Sequence, residues 1–401
     1  MIRMREVAIV GAGITRFGVR EASWRDLVQE AGKAVFDDVP NLDKKDIDSL
    51  FVGAAQPERW VFQTHVAPYV AELLGINVSR VISRTEVACA SGQAAIRYAW
   101  LAVATGLSDV AMVVGVEKMN SKFMSVSQSS MINVGNREFD GVNGFTAPPF
   151  FAMVAQRHMH EFGTTSEQLA MVRVKNSYYG ARNPYAQFQK EVTVEKVLGS
   201  RMVAPPLTLF DCSAITDGAC ALILTSEERA REFTDTPVWI LGGVQHVDSA
   251  HTTNQFGDLS HWVGLRKAAK DLYSMLKISP DDIDMAEVHD CFTISEILEY
   301  EELGFCKKGE GGKFIEEGES YIGGKVAVNP GGGLLSNGHP LGATGVRQAW
   351  EMVMQFRGEV PEERYVNGAE IGIAHNLSGM AQLHHIMAYS IYKRKDLKQE
   401  V

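Results

Sequence analysis

One cysteine stands among small side chains, in a setting that suits a nucleophile. Cys89 lies in TEVACASGQAA (85–95), where a β-rich stretch passes into a helical pattern. The dipole at a helix N-terminus favours a thiolate, so we expect a lowered pKa for this thiol. The small neighbours would let a substrate carbonyl approach. Taken alone, Cys89 could equally be a buried structural residue, because free cysteine is common in protein cores.

A histidine and a second cysteine are placed together in EVHDCFTISEIL (287–298). This segment reads as the end of a short strand followed by a helix, and the carboxyl ends of strands are where α/β sheets bind ligands. Residues i and i+2 of an extended chain point to the same side. We therefore predict that His289 and Cys291 face one pocket and that Asp290 faces away. The alternative is a hydrogen-bonded core histidine beside a buried cysteine.

A second histidine lies in a glycine-rich loop before a helical pattern. The segment NPGGGLLSNGHPLGATG (329–345) contains six glycines and presents His339. Glycines let the backbone approach a ligand closely. No Gly-Lys-Ser/Thr follows, so this is not a phosphate-binding loop. A structural turn is the alternative.

The chain repeats itself weakly, which indicates duplication. The strand-like run VAIVGAG from Val7 returns as VWILGGV from Val238. Aligning Cys89 with His339 also pairs further positions in two helical segments: Gly92 with Gly342, Arg97 with Arg347, and Trp100 with Trp350. Two halves related by a two-fold axis would bring Cys89 and His339 to one shared site.

The pattern of apolar runs predicts an α/β protein. At 401 residues the chain exceeds one simple core, so two domains or two fused halves are expected. Runs at 109–117 and 220–226 are continuously apolar, as in strands covered on both faces. Helical patterns at 166–181 and 293–303 alternate with such runs.

We predict three regions in the chain. The first half comprises 1–117 and 206–232, and the second half comprises 233–401. Between the two parts of the first half, the segment 118–205 is rich in Ser, Met and Asn and is unlike either half. Long insertions in compact α/β proteins are often binding surfaces or lids, so we interpret this region as a loop domain over the site.

Composition excludes several classes of function. A net charge of −10 argues against a general nucleic-acid binder or a membrane-surface protein. The sequence has no signal-peptide pattern and no membrane-spanning apolar run, which predicts a cytoplasmic protein. Five cysteines without paired spacing indicate reduced thiols and no zinc site. We interpret Cys212, Cys220 and Cys306 as inert. GAGITRFG (11–18) lacks the third glycine of a dinucleotide-binding fingerprint.

Four motifs together resemble the thiolase superfamily. ACASG, HDCF, GHPLGATG and a terminal HNLSG occur in that family's order and spacing, so the resemblance covers essentially the whole chain. It implies a five-layered α-β-α-β-α fold of two similar halves, with the insert forming a loop domain over the coenzyme A tail. It also implies a homodimer or a dimer of dimers.

Two departures point to one branch of this superfamily. Common thiolases have Asn-Glu-Ala-Phe where this chain has HDCF (289–292), and a cysteine in the last loop where this chain has HNLSG (375–379). The pattern resembles sterol-carrier-protein-2-type and archaeal thiolases. The archaeal proteins work beside hydroxymethylglutaryl-CoA synthase, joined by a small protein with an OB-fold and a zinc ribbon, so such partners are implied here.

The resemblance implies an acetyl-CoA C-acetyltransferase that condenses two acetyl-CoA through an acyl-cysteine. Cys89 fits the nucleophile and His339 the base that activates it. His289 fits a second hydrogen-bond donor to the enolate, and Cys291 the acid/base of the condensation. The amides of Cys89 and Gly379 fit an oxyanion hole for the acyl-enzyme carbonyl. No metal or redox cofactor is called for.

Family analogy also places the coenzyme A substrate between the insert and 245–262, with Ser249 as a contact to the pantetheine arm. Three alternatives stay open: a degradative 3-ketoacyl-CoA thiolase of longer chains, a decarboxylating condensing enzyme, and a non-enzymatic acyl-CoA-binding scaffold. A decarboxylating enzyme would not need Cys291. The intact site residues count against the scaffold.

Overall fold

The computed structural model describes residues 4–120, 130–249 and 258–397. The strands, in chain order, are β1 Val7–Ile14, β2 Ser49–Gly53, β3 Val81–Thr85, β4 Val110–Lys118, β5 Met202–Ala204, β6 Leu207–Thr208, β7 Asp217–Ser226, β8 Val238–Val247, β9 Met285–Glu287, β10 Ala327–Val328, β11 Ile371–Ser378 and β12 Leu383–Ser390. The helices are α1 Trp24–Asp38, α2 Pro57–Trp60, α3 Val66–Leu74, α4 Ser91–Ala104, α5 Ala147–Phe162, α6 Ser166–Ala181, α7 Val194–Leu198, α8 Glu227–Phe233, α9 Val263–Leu276, α10 Thr293–Glu302, α11 Gly311–Glu316, α12 Gly333–Asn337 and α13 Leu341–Arg357.

The central strands are buried along nearly their whole length. Every residue of β1 and β7 is buried, as are all residues of β4 except its last. This burial explains why their sequences are continuously apolar instead of alternating. The two predicted strands appear as β4 and β7, and the two predicted helices as α6 and α10. Within the described ranges, no helix is long and apolar enough to cross a membrane.

Ten strands form one sheet that repeats a single topology twice. The order is β10-β9-β11-β12-β8-β1-β7-β4-β2-β3. Outward from the centre, β1-β7-β4-β2-β3 and β8-β12-β11-β9-β10 each have two antiparallel pairings followed by two parallel ones. The halves join where Val7–Ile9 pairs with Val238–Ile240. The predicted duplication is therefore confirmed at the level of topology.

The helices complete five layers around the two half-sheets. Helices α4 and α13 pack against each other and against strands of both halves, which makes them the central layer. Helices α1 and α3 cover the outer face of the first half, and α9 covers that of the second. Gly92 and Gly342, which the internal alignment pairs, meet here: a Cβ on Gly92 would lie 2.5 Å from the carbonyl oxygen of Gly342. Only glycine allows this approach.

The described residues between β4 and β7 lie outside the large sheet, and their helices α5 and α6 pack on the second half. Helix α6 contacts α10, α11 and α12, and its N-terminus is fixed by a capping box of Thr165 and Gln168. Phe150 and Phe151 of α5 belong to the same apolar core as the outer helices of the second half. The boundaries 118–205 stay a prediction, and 121–129 lie outside the described residues.

Candidate active site

A cavity of about 460 Å³ opens where strands of both halves reach their carboxyl ends. Cys89, Cys291, His339 and Gly379 line it, and its remaining walls are mainly apolar. The described part of the insert supplies much of the outer wall: Met131, Ile132, Val134, Thr146, Ala147, Pro148 and Phe151. Four separate motifs of the chain therefore reach one cavity, as predicted.

A tight turn presents Cys89 to the cavity. The residue lies in a single 3-10 turn, Ala88–Ala90, directly before α4. Ala88 has φ of 46°, in the left-handed region that L-residues rarely adopt. The Ser91 hydroxyl stabilises the turn because it donates to the Ala88 carbonyl at 2.6 Å and accepts from the Val87 N–H at 3.0 Å. The small side chains seen in the sequence thus allow the tight turn as well as the approach of a ligand.

The thiol of Cys89 is not acidic in the free protein. Burial raises its pKa to about 12, and this outweighs the opposing hydrogen bonds from the backbone N–H groups of Gly379 and of Cys89 itself. The prediction of a lowered pKa is therefore wrong, because desolvation destabilises the thiolate more than the helix N-terminus stabilises it. Proton removal must accompany attack on a substrate.

The geometry around His339 determines its tautomer. Its Nδ1 lies 2.7 Å from the Thr344 hydroxyl oxygen, and that hydroxyl donates to the Pro340 carbonyl at 3.0 Å. Because the hydroxyl proton is used, Nδ1–H donates and Nε2 keeps its lone pair. Burial, followed by the charge of Arg347, lowers the pKa of His339 to about 3. The imidazole is thus neutral, and the lone pair of its Nε2 can accept a proton.

His289 lies against both residues. Its ring meets that of His339 edge to face, with centroids 4.8 Å apart. The ligating atoms of Cys89, His289 and His339 all lie within 4.8 Å of one another. Burial holds the pKa of His289 well below its usual value, and neither ring nitrogen has a hydrogen-bond partner among the described residues. His289 is fully buried and is not among the residues that line the cavity, so it stands behind Cys89 and His339 at the edge of the site.

Cys291 lines the same cavity as a neutral thiol. Its sulfur lies 3.7 Å from the Ser295 hydroxyl. Burial raises its pKa well above 9.0, and the nearby Cys89 adds to the shift. Cys291 is protonated at rest, so it is poised to donate a proton before it accepts one.

Asp290 faces away from the cavity, as predicted, and joins two site loops. Its carboxylate accepts from the N–H groups of Leu334 at 2.6 Å and Leu335 at 3.1 Å, at the start of α12. It also accepts from Asn176 of α6 at 2.8 Å. Burial raises the pKa of Asp290, while the two backbone donors oppose the shift. These contacts tie the loop of His289 and Cys291 to the loop that ends at His339.

Sequence reasoning missed two positioning residues. The Thr344 hydroxyl orients His339, as described above. The Glu117 carboxylate accepts from the N–H groups of Ala55 at 2.7 Å and Gly342 at 2.9 Å, so it ties β4 to the start of α13. Burial raises its pKa to about 7. A lone acid ending an apolar strand was the available signal for Glu117.

Cys212, predicted to be inert, has a pKa that burial raises to about 12, and it also lines the cavity.

Ser249 stands apart from this cluster. It is half-buried, lies two residues after the end of β8, and is not among the residues that line the cavity. Residues 250–257 of the segment assigned to coenzyme A lie outside the described residues. The contact between Ser249 and the pantetheine arm stays a prediction.

Comparison with known proteins identifies the family. Residues 7–228 match the family described as "Thiolase, N-terminal domain", and residues 245–391 match "Thiolase C-terminal domain-like". The chain belongs to the thiolase family. The two matches fall on the two topological repeats, and together they account for all five layers of the fold.

The similar proteins include the branch that the sequence motifs indicated. The chain is 43% identical to the acetyl-CoA acetyltransferase of Methanothermobacter thermautotrophicus, over 94% of this chain and 97% of that protein. It is also 43% identical to the acetyl-CoA acetyltransferase of Methanocaldococcus jannaschii, over 94% and 96%. Among solved structures, an Ltp2-ChsH2(DUF35) aldolase has a TM-score of 0.81 at 28% identity, over 96% of this chain and 98% of that chain.

Proposed function

We propose that this protein is an acetyl-CoA C-acetyltransferase, which condenses two acetyl-CoA to acetoacetyl-CoA and free CoA. The observation that carries the proposal is the meeting of Cys89, His289 and His339 within 4.8 Å at a substrate-sized cavity. The two relatives of the same activity support it over almost the whole chain.

In the first half-reaction, the sulfur of Cys89 attacks the thioester carbonyl while its proton passes to Nε2 of His339. The tetrahedral intermediate collapses, the carbon–sulfur bond to CoA breaks, and His339 returns the proton to the CoA thiolate. Transfer during attack is needed because the pKa of Cys89 is raised to about 12. The N–H groups of Cys89 and Gly379, which already point at this sulfur, would hold the acyl carbonyl oxygen.

In the second half-reaction, a second acetyl-CoA loses an α-proton to Cys291 and becomes an enolate. His289 and His339 donate hydrogen bonds to the enolate oxygen, which requires each to present an N–H toward the cavity. The enolate carbon attacks the acetyl-Cys89 carbonyl, the bond to sulfur breaks, and Cys89 recovers a proton from Cys291. Because Cys291 rests as a thiol and CoA has already left as a thiol, Cys291 first passes its own proton to Nε2 of His339, which gives His339 the N–H for the enolate oxygen. Once Cys291 has reprotonated Cys89, His339 returns this proton to Cys291.

Acetyl transfer and condensation can be measured separately. Brief exposure to acetyl-CoA should add one acetyl group to the peptide that contains Cys89, detected by mass spectrometry. Longer incubation should release acetoacetyl-CoA. The variant Cys89→Ala should do neither, and Cys306→Ser should do both as the natural chain does. An acetyl group found elsewhere, or an unlabelled protein, would refute the proposal.

Longer acyl chains are the second candidate, favoured by the mainly apolar cavity wall from the insert. Acetoacetyl-CoA and longer 3-ketoacyl-CoA, each with free CoA, should be compared by kcat/KM. Faster cleavage of the longer substrates would assign a degradative thiolase. A protein that binds these ligands without turnover would be an acyl-CoA-binding scaffold.

We further propose that the protein works as a cytoplasmic homodimer or dimer of dimers without a metal or redox cofactor. Strand β3 is an outer strand of the sheet, and Ile82 within it is 44% exposed, which fits pairing with a second copy. The aldolase of similar fold, Ltp2-ChsH2(DUF35), is named for two components, one of them a DUF35 protein. That likeness supports a partner protein, which we propose to be a bridging protein with an OB-fold and zinc ribbon, joined to hydroxymethylglutaryl-CoA synthase. Size-exclusion chromatography with light scattering tests these assemblies.

A further inference from the structure

The three central side chains of the site form a set of metal ligands. One sulfur and two imidazoles, from Cys89, His289 and His339, place their ligating atoms within 4.8 Å of one another. Each side chain is more than nine-tenths buried. Nε2 of His339 and both ring nitrogens of His289 have no hydrogen-bond partner among the described residues. Two imidazoles that bring unpartnered nitrogens to one buried thiol are unusual in a protein interior.

We propose that Cys89, His289 and His339 form a binding site for a borderline or soft divalent cation such as Zn²⁺ or Cd²⁺, and that the bound cation inhibits the enzyme. Thiolate and imidazole are the ligands that these cations prefer, and three protein ligands with one open position form a familiar zinc geometry. Reaction does not require the cation. The cation instead inhibits the enzyme when it binds at this site.

The geometry needs only a small adjustment. Tetrahedral Zn²⁺ with ordinary bond lengths separates its sulfur and nitrogen ligands by roughly 3.3 to 3.6 Å. Atoms within 4.8 Å reach this arrangement through side-chain movements of about 1 Å. Binding forms a bond from the metal to the Cys89 sulfur, and the thiol proton is released to solvent. The fourth position faces the cavity and accepts water.

The surroundings orient the ligands for a cation. The Thr344 hydroxyl holds the proton of His339 on Nδ1, which leaves Nε2 for the metal. Arg347, the cation that lowers the pKa of His339, forms an ion pair with Glu287 at 2.7 Å, so much of its charge is compensated. Hard cations such as Mg²⁺ prefer oxygen ligands, which the three donors do not offer.

A cation bound to Cys89, His289 and His339 must stop acyl transfer. The lone pair of the Cys89 sulfur that would attack the thioester is committed to the metal. His339 cannot take a proton while Nε2 is a ligand. Inhibition should therefore compete with the first acetyl-CoA, and a chelator should reverse it.

Direct binding is tested with Co²⁺ as the probe, because cobalt bound to thiolate has a near-ultraviolet charge-transfer band. The full chain, reduced and freed of metal, should develop this band to saturation at about one equivalent. Zn²⁺ should abolish it and Mg²⁺ should not. The variant Cys89→Ser should lack the band, and His289→Gln should bind at least about tenfold more weakly. Cys306→Ser, which removes a half-buried thiol elsewhere, should match the natural chain.

The Thr344→Val variant distinguishes binding by three oriented ligands from non-specific binding of the metal to a thiol. It leaves all three ligands in place but removes the acceptor of Nδ1–H, so affinity should fall by about 10- to 100-fold. A natural chain without the band, or a band that persists in Cys89→Ser, would overturn the proposal. Binding is read without turnover, so an active enzyme lacking the band refutes this inference alone, whereas an inactive protein with the band refutes only the proposed function.

Discussion

Replacing Asp290 by Asn should slow catalysis without abolishing folding. The Asp290 carboxylate accepts three hydrogen bonds, one at Oδ1 from Leu334 and two at Oδ2 from Leu335 and Asn176. An amide has one oxygen, and its nitrogen donates instead of accepting. In the better rotamer, two bonds survive and one buried N–H loses its acceptor. The free energy of unfolding should then fall by about 1–3 kcal/mol, a loss that a protein stable by about 5–15 kcal/mol survives.

The effect on activity follows from which loops Asp290 joins. Asp290 is bonded in the chain to His289 and Cys291, and its carboxylate holds the start of the loop that runs from Leu334 to His339. A displacement of about 1 Å between these groups costs roughly 10²-fold in rate. We expect kcat to fall by about 10- to 100-fold with KM nearly unchanged, since the outer wall of the cavity is untouched. Steady-state assays of acetoacetyl-CoA formation and urea unfolding measure the two effects.

A matched variant isolates positioning from general destabilisation. Asp38→Asn removes an acceptor of the Ala12 N–H at 2.8 Å and a partner of Arg357 at 2.9 Å, on a part of the fold that does not line the cavity. It should lose stability and keep kcat. If Asp290→Asn also kept kcat while losing stability, Asp290 would be structural only and would not position the site loops.

Three further outcomes are expected. Cys291→Ala should still form acetyl-Cys89 yet lose acetoacetyl-CoA formation by about 10²-fold or more; near-normal condensation would move the acid/base role to a histidine. The logarithm of the rate at which iodoacetamide modifies Cys89 should show no inflection from about pH 5 to about pH 9, because the pKa of Cys89 is raised to about 12 and that of His339 is lowered to about 3; peptide mapping identifies the modified thiol, and an inflection near pH 7 would contradict these directions. Gly342→Ala should destabilise the protein by about 1–3 kcal/mol, since its Cβ would lie 2.5 Å from the Gly53 carbonyl oxygen; Gly199→Ala, whose Cβ would lie 3.1 Å from a carbonyl oxygen, should unfold nearly as the natural chain does.

The repeated fold can be predicted from the sequence because equivalent segments of the two halves have similar local sequences. Matching strand runs from Val7 and Val238 became β1 and β8, the two strands that join the half-sheets. The alignment paired Gly92 with Gly342 as equivalent positions, and the structure shows in addition that the two glycines meet where α4 packs against α13. Side chains alternate between the two sides of an extended chain. This alternation in HDCF correctly predicted that the side chain of Asp290 faces away from the cavity.

The pKa values and the supporting contacts could not be predicted in the same way. A helix N-terminus is visible in the sequence, but the burial that overrides its effect on Cys89 comes from chain segments far apart, including the insert. Glu117 acts on Gly342, 225 residues away. Long-range contacts of this kind depend on how layers pack, and no local pattern encodes them.

A buried site with neutral groups explains why both halves must contribute. The thiol from the first half cannot ionise in its own pocket, because burial raises its pKa to about 12. The imidazole from the second half cannot hold a proton at rest, because burial and Arg347 lower its pKa. Neither group is charged alone, and charge forms only when the thioester carbonyl, the backbone N–H donors and both side chains are together. Separation of Cys89 and His339 on two repeats therefore makes the reactive state depend on the assembled fold, and the same arrangement leaves a sulfur and two nitrogens open to a competing cation.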